Sequence, residues 1–188
     1  MPPPAPDVLT TGRLTLRPWR DDDAEVMLDL YSRLEVQRYI GAVPTLMQTR
    51  EEALARIARW HDLARPPHGI WAVELTGTGL PIGTLLLKTI PASRPADAPR
   101  VSAAPAEPSG DTEIGWHFHP DHWGNGYAAE AAGVVLAHAF ASGLHRVVAV
   151  TNPANLASQR ACTRIGMTHL GRSAAYYDLD CELFEITG

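Results

Sequence analysis

Residues 113–130 read Glu113-Ile-Gly-Trp-His-Phe-His-Pro-Asp-His-Trp-Gly-Asn-Gly-Tyr-Ala-Ala-Glu130 and change from the period of a strand to that of a helix. From Thr112 to His119 apolar and polar residues alternate, which predicts a strand with one packed face and one free face. Pro120 has no N–H to donate and ends the strand. Apolar residues then recur at helical spacing from about Gly126, so a loop leads directly into a helix.

The loop between this strand and this helix is suited to an anion. Gly124 and Gly126 carry no side chain, so the amides from about Gly124 to Ala128 can approach a ligand beside the positive end of the helix dipole. The Lys-Ser or Lys-Thr of a Walker loop is missing, and no Gly-x-Gly-x-x-Gly opens the chain. We therefore expect a phosphate or pyrophosphate site, with a simple tight turn as the alternative.

The same segment resembles the acetyl-CoA-binding motif of the GNAT superfamily of N-acetyltransferases, (Gln/Arg)-x-x-Gly-x-(Gly/Ala). Gly126 and Ala128 match it, and Trp123 stands where Gln or Arg is usual. The run Trp-Gly-x-Gly-Tyr-Ala-x-Glu-Ala of residues 123–131 is familiar in the branch that resembles ribosomal-protein N-terminal acetyltransferases. The resemblance implies that acetyl-CoA is bound by Phe118, His119, Trp123, Gly124, Asn125, Gly126, Tyr127 and Ala128, with the amides of the first two holding the pantetheine and polarising the carbonyl.

Residues 155–167 resemble a second motif of the family. By this resemblance Asn155 would hydrogen-bond the pantetheine or the thiol end of the cofactor, and Ser158 would lie near the sulfur. The alternative is that both residues satisfy backbone donors at the start of a helix. Cys162 stands where many members have a tyrosine that protonates the departing thiolate, so Ser158 is the candidate donor. Cys162 is a weaker one, because a buried thiol usually serves as a small apolar filler.

Glu113, on the free face of the predicted strand, is the candidate base. An amine must lose a proton to attack a thioester, and family members with a glutamate here are understood to remove it through a water. The alternative is an exposed or ion-paired carboxylate. His117, His119 and His122 suggest zinc by residue type, but His122 lies beyond the proline, so we expect no metal.

The resemblance implies an N-acetyltransferase that transfers the acetyl group of acetyl-CoA to a primary amine by direct attack in a ternary complex. The acceptor is a protein N-terminus or a small-molecule amine. A non-catalytic acyl-CoA-binding module is the main alternative, and a metal-dependent hydrolase is a third hypothesis. We expect the acceptor pocket to be formed by Tyr39, Trp60, Trp71 and the loop Tyr176-Tyr-Asp178.

Composition limits the class of protein. A chain of 188 residues with 45% hydrophobic residues forms one domain most simply, and a net charge of −5 gives no footprint for nucleic acid or an anionic membrane. The sequence shows neither a signal peptide nor a membrane span, so we expect a cytoplasmic monomer or homodimer. Cys162 and Cys181 should be free thiols.

The order of predicted elements is typical of the GNAT arrangement, an α+β fold with a mixed, mostly antiparallel central sheet flanked by helices. One strand and two helices precede three antiparallel strands, and a helix, a strand, a helix and a closing hairpin follow. We expect a disordered lead over residues 1–9, the acetyltransferase domain over 10–188, and a mobile Pro- and Ala-rich loop over 91–111.

Overall fold

A computed structural model describes residues 7–94 and 108–188 of the protein. The strands of these residues are β1 Leu9–Thr10, β2 Leu14–Pro18, β3 Gly69–Leu75, β4 Pro81–Pro91, β5 Pro108–Phe118, β6 Arg146–Thr151, β7 Thr168–Ser173 and β8 Cys181–Thr187. The helices are α1 Ala24–Ser32, α2 Leu34–Gln37, α3 Arg50–Leu63, α4 Tyr127–Ala141 and α5 Leu156–Arg164.

The strands form one sheet in the order β1-β2-β3-β4-β5-β6-β8-β7. Each neighbouring pair is antiparallel except β5 and β6, which run parallel and pair where Glu113 lies opposite Val148. Both strands continue past this pair, β5 to Phe118 and β6 to Thr151, so they separate towards their C-terminal ends. The predicted α+β fold with a mostly antiparallel mixed sheet is confirmed.

Helices cover both faces of the sheet. On one face α4 packs its small residues against the strands in a core that includes Trp71, Leu85, Leu87, Ile114 and Val147. On the other face α1 and α3 form a second core around Trp19, Met27, Tyr31 and Ile57. Alternation along β3 supplies both cores, because Trp71 and Val73 belong to the first and Ala72 to the second.

Side-chain caps set the starts of the helices. Thr49 accepts a hydrogen bond from the N–H of Glu52 at 3.3 Å, as the spacing of these residues predicts. At the first helix Asp22 and Glu25 have the spacing of a capping box, which predicts a cap at Asp22, and this prediction is wrong. Asp23 accepts instead from the N–H of Arg20 at 2.8 Å, and its carboxylate also forms a buried ion pair with Arg17 at 2.7 Å.

Part of the lead expected to be disordered and part of the loop expected to be mobile belong to the folded structure. Trp71 donates its indole N–H to the carbonyl of Asp7 at 2.8 Å, and β1 begins at Leu9. Strand β4 runs to Pro91 and β5 begins at Pro108, so both ends of the predicted 91–111 loop belong to the sheet. The rest of the two predicted segments, residues 1–6 and 95–107, lies outside the described residues. Across the described part of the chain, no helix has the length and apolar character that a bilayer span requires.

Candidate active site

A cavity of about 1390 Å³ opens where β5 and β6 separate. One wall is the C-terminal half of β5 from Gly115 to Phe118, and the other is the end of β6 with the start of α5. The N-terminus of α4 lines one part of the cavity, and residues of α1, α2 and α3 line another. The cavity therefore connects the glycine loop to the polar face of the central strand.

The glycine loop presents unpaired backbone donors. Gly126 caps α4 in the left-handed region with φ of 79°, and the first helical bond runs from Glu130 N–H to its carbonyl at 3.1 Å. The N–H groups of Tyr127, Ala128 and Ala129 have no acceptor inside the helix as a consequence. A Cβ on Gly126 would lie 4.0 Å from the guanidinium of Arg164, which places a positive charge beside these donors. This arrangement suits a phosphate or pyrophosphate.

Contacts from three side chains hold this loop in place. Trp123 donates its indole N–H to the carbonyl of Phe118 at 2.7 Å and so ties the loop to the end of β5. The guanidinium of Arg13 lies 4.7 Å from the centre of the Tyr127 ring and donates to the carbonyl of Asn125 at 3.2 Å. The side chain of Asn125 donates to two loop carbonyls, so it stabilises the turn. Asn125 does not line the cavity, contrary to the expectation that it contacts the cofactor.

The register with β4 decides which amides of β5 are available. His119 donates its N–H to the carbonyl of Ile82 at 2.9 Å, so its amide cannot hold the pantetheine, and that prediction is wrong. Backbone groups alternate in direction along a strand, so Trp116 and Phe118 direct theirs away from β4, towards the gap left by β6. The His119 side chain contacts Asp29 at 3.0 Å and lies outside the cavity lining.

Similarity to known proteins identifies the family of this chain. The family model described as an acetyltransferase (GNAT) domain matches residues 13–168. The chain belongs to the GNAT acetyltransferase family. Acetyl-CoA is therefore the acetyl donor of this acetyltransferase, and an enzyme is favoured over a non-catalytic acyl-CoA-binding module.

Individual relatives agree with this assignment. The acetyltransferase is 32% identical over 166 residues to the uncharacterized N-acetyltransferase YoaA of Bacillus subtilis (strain 168), covering 87% of this chain and 84% of that protein. Its fold resembles Mycobacterium smegmatis RimJ in complex with CoA-disulfide, with a TM-score of 0.75, 20% identity and 97% and 88% of the two chains covered. An acetyltransferase from Agrobacterium tumefaciens str. C58 gives a TM-score of 0.72 at 24% identity, covering 97% and 95%.

The second motif of this acetyltransferase forms the start of α5. Asn155 accepts a hydrogen bond from the N–H of Ser158 at 3.2 Å, so it caps the helix as the alternative interpretation expected. Both residues also line the cavity. Capping the helix and facing the cofactor are compatible, because the amide side chain of Asn155 has further hydrogen-bonding capacity.

Cys162 is a core residue of the acetyltransferase. It is fully buried and packs in the core beneath α4, outside the cavity lining. Burial raises the pKa of its thiol to about 12, so the reactive thiolate is scarce at neutral pH. The position that resembles the family tyrosine is thus occupied by an apolar filler in this chain. Cys181 is likewise free and buried.

Glu113 has two partners in the cavity. Its Oε2 accepts a short hydrogen bond from the hydroxyl of Tyr177 and lies 3.0 Å from the ammonium of Lys88. Lys88 also donates to the Tyr177 hydroxyl at 2.6 Å, which closes a three-membered network. The residue Glu113 is 8% exposed, so the predicted free face of β5 is largely covered at this position. Burial, then the charge of Glu113, raises the pKa of Tyr177.

A strained turn places Tyr177 in this network. Tyr177 and Asp178 both have positive φ, 60° and 56°, a conformation that costs energy for residues other than glycine. Asp178 is held by Arg94 at 2.9 Å, and its N–H donates to the hydroxyl of Ser93 at 2.9 Å. Ser93 and Arg94, which follow β4, therefore fix the loop between β7 and β8.

A second buried network lies next to the first and was not predicted. Tyr31 donates its hydroxyl to Thr84 at 2.8 Å and lies 3.0 Å from Nδ1 of His117. Because the single phenol proton goes to Thr84, Nδ1 of His117 is the donor, and its Nε2 carries a lone pair. Burial, then the charges of Arg56 and Lys88, lowers the pKa of His117 to about 4, so the imidazole is neutral at pH 7.

Some of the residues expected to form the acceptor pocket lie at the cavity. Tyr39, Trp60 and Tyr177 line the cavity. Trp71 does not, because it faces α4 in the main core. Tyr176 donates its hydroxyl to Asp111 at 2.7 Å outside the cavity, and Asp178 binds Arg94, so these two positions of the predicted wall are also wrong. Within residues 7–94 and 108–188, no three potential metal ligands come together.

Proposed function

We propose that acetyl-CoA lies along the cavity, with its pyrophosphate at the N-terminus of α4 and its thioester at the free edge of β5. The continuity of one cavity from the glycine loop to Glu113 and His117 carries this proposal. The loop, residues Gly124 to Ala128, binds the pyrophosphate through its backbone. The N–H of Phe118 and the side chain of Asn155 bind the pantetheine and polarise the thioester carbonyl.

The acceptor is a primary amine, of a protein N-terminus or of a small molecule, and it attacks the thioester directly. The C–N bond forms as the C–S bond breaks, the amine proton passes through a water to Glu113, and CoA leaves as the thiolate. His117 accepts a hydrogen bond from the amine at Nε2, which its neutral state supports. Ser158, at the start of α5, donates a hydrogen bond to the thiolate. The proton held by Glu113 then passes through water to the thiolate, which restores both residues.

A comparison of two glycine variants tests the cofactor position. Gly126→Val and Gly143→Val both place a branched side chain at positive φ, 79° and 89°, so their backbone strain is similar. Only the first lies at the cavity, whereas Gly143 follows the other end of α4. We expect calorimetry to show weaker CoA binding for Gly126→Val alone. Equal CoA affinities in two folded variants would remove the proposed phosphate site.

We infer a cytoplasmic location, which the two free, buried cysteines support, because thiols persist in a reducing compartment. A monomer and a homodimer are both compatible with a cavity lined by one chain. Sedimentation of the purified protein distinguishes the two, and cell fractionation tests the location.

A further inference from the structure

Arginines gather at the part of the cavity that α2, α3 and their following segments form. Arg38, Arg56, Arg59 and Arg65 all line this part, and Glu35 is the acidic residue that these same segments contribute. The whole chain has a net charge of −5, so the positive charge at this part of the cavity is local and opposite in sign to the net charge. We call Arg38, Arg56 and Arg59 the arginine cluster.

The members of the arginine cluster differ from other arginines of the same helices in their pairing. Arg33 binds Asp29 at 2.8 Å and Arg50 binds Glu25 at 3.1 Å. Within the described residues, no carboxylate lies at ion-pair distance from a member of the cluster. The side chain of Glu52 is near Arg56, but its carboxylate accepts a hydrogen bond from the N–H of Gln48 at 2.8 Å.

Arg56 is the best placed member of the cluster. Its guanidinium carbon lies 4.7 Å from the centre of the Tyr31 ring, which orients the group against an aromatic face. Burial lowers the pKa of Arg56, so the protein around it does not compensate for the lost hydration of its charge. A partly buried charge of this kind is stabilised by an opposite charge on a ligand. A guanidinium binds carboxylate or phosphate through two parallel hydrogen bonds.

Arg56 is also close to the groups that receive the amine. Tyr31 contacts the guanidinium through its ring and the imidazole of His117 through its hydroxyl. Arg56 is near enough to His117 to lower its pKa. One aromatic side chain thus separates the cation from the place of attack, and a short molecule can reach both.

We propose that the acceptor is an amine that also carries an anionic group, a carboxylate or a phosphate, which pairs with Arg56. Arg38 and Arg59 add to the attraction, while the amine lies beside His117 and Glu113. This substrate class rests on the proposed acetyl transfer and makes it more specific. Positively charged amines without an anionic group are repelled by the arginine cluster, which adds discrimination against them.

The test compares acceptors that differ only in the anion. The probes are ω-amino carboxylates of two to five carbons with their neutral amides, and 2-aminoethyl phosphate with 2-aminoethanol. For each we measure kcat/KM at saturating acetyl-CoA. An ion pair at Arg56 predicts that at least one chain length is preferred over its neutral partner by roughly 10- to 100-fold. Comparison of the preference for the amino carboxylates with the preference for 2-aminoethyl phosphate shows whether the site takes a carboxylate or a phosphate.

Variants of α3 assign the preference to one residue. Arg56→Gln should lower kcat/KM for the preferred anionic acceptor by roughly 10- to 100-fold. It should not lower kcat/KM for the neutral partner, because that amine loses a repelling charge and no attractive contact. Arg56→Lys keeps the charge and should retain part of the preference, which guards against a general folding effect. Arg50→Gln is the matched control, because Arg50 lies on the same helix, is paired with Glu25 and is not part of the cavity lining.

The outcomes separate this inference from the acetyl transfer itself. Equal kcat/KM for the anionic and neutral partners of every pair would overturn the anionic class and leave the transferase intact. An equal loss on both partners in Arg56→Gln would also overturn it, because the residue would then be structural. If CoA binds and no amine is acetylated, both the inference and the proposed reaction are wrong.

Discussion

Acidification from pH 7 to pH 5 should destabilise the protein through His117. The imidazole has a pKa of about 4 in the folded protein because of its burial and the charges of Arg56 and Lys88, against about 6.5 in an unfolded chain. Between these values the unfolded chain binds more protons than the folded protein. Stability therefore rises with pH across this window and is lost on acidification.

The magnitude follows from the two pKa values. At pH 5 the unfolded imidazole is almost fully protonated while the folded one remains neutral, which costs about 2 kcal/mol relative to pH 7. The tyrosine that binds the imidazole stays protonated throughout, because burial raises the pKa of Tyr31. Burial also lowers the pKa of His68, so His68 adds to the loss in the same direction.

Urea unfolding at pH 5 and pH 7 measures this loss, and the His117→Gln variant isolates one residue. We expect the variant to lose about 2 kcal/mol less than the native protein between the two pH values. His145→Gln is the control, because His145 is exposed. If the native protein and His117→Gln lose the same stability on acidification, then the assignment of a neutral imidazole to His117 in the folded protein is wrong.

Three further predictions concern packing and the transfer steps. Gly83→Ala should cost about 1–3 kcal/mol, since its Cβ would lie 2.6 Å from a backbone oxygen of β5. Gly133→Ala, in open space on α4, should not destabilise, and thermal unfolding compares the two. Glu113→Gln should lower kcat about 100-fold or more, which steady-state rates measured from pH 6 to 9 would show. A variant that keeps the full native kcat over this range would contradict a role as base. Ser158→Ala should lower kcat without weakening acetyl-CoA binding, whereas Cys162→Ala should change neither, and an inverse pattern would support a thiol nucleophile.

Local sequence patterns were enough to predict the strand β5, the helix α4 and the glycine loop between them. The alternation from Ile114 to Phe118 and the helical spacing after Gly126 are set by neighbours in sequence, and the structure follows both. The cap at Thr49 is local in the same sense. The availability of the His119 amide was not predictable in this way, because it depends on pairing with Ile82 in another strand.

Contacts between distant residues supplied the rest of the candidate site. Tyr31 meets His117 across 86 positions of sequence, and Lys88 meets Tyr177 across 89. Neither the residue types nor their spacing in the sequence predicts that these side chains are in contact. Trp71 was misplaced for a related reason, since both faces of β3 are buried and an apolar run does not reveal which face a residue takes.

Intact-protein mass spectrometry during a single turnover distinguishes direct attack on acetyl-CoA from transfer through an acetylated enzyme. The protein is mixed with acetyl-CoA first without and then with an amine that it acetylates. Direct attack predicts an unmodified protein before the amine is added, and product amide with free CoA only afterwards. An acetyl group that accumulates on Cys162 and then moves to the added amine would contradict it.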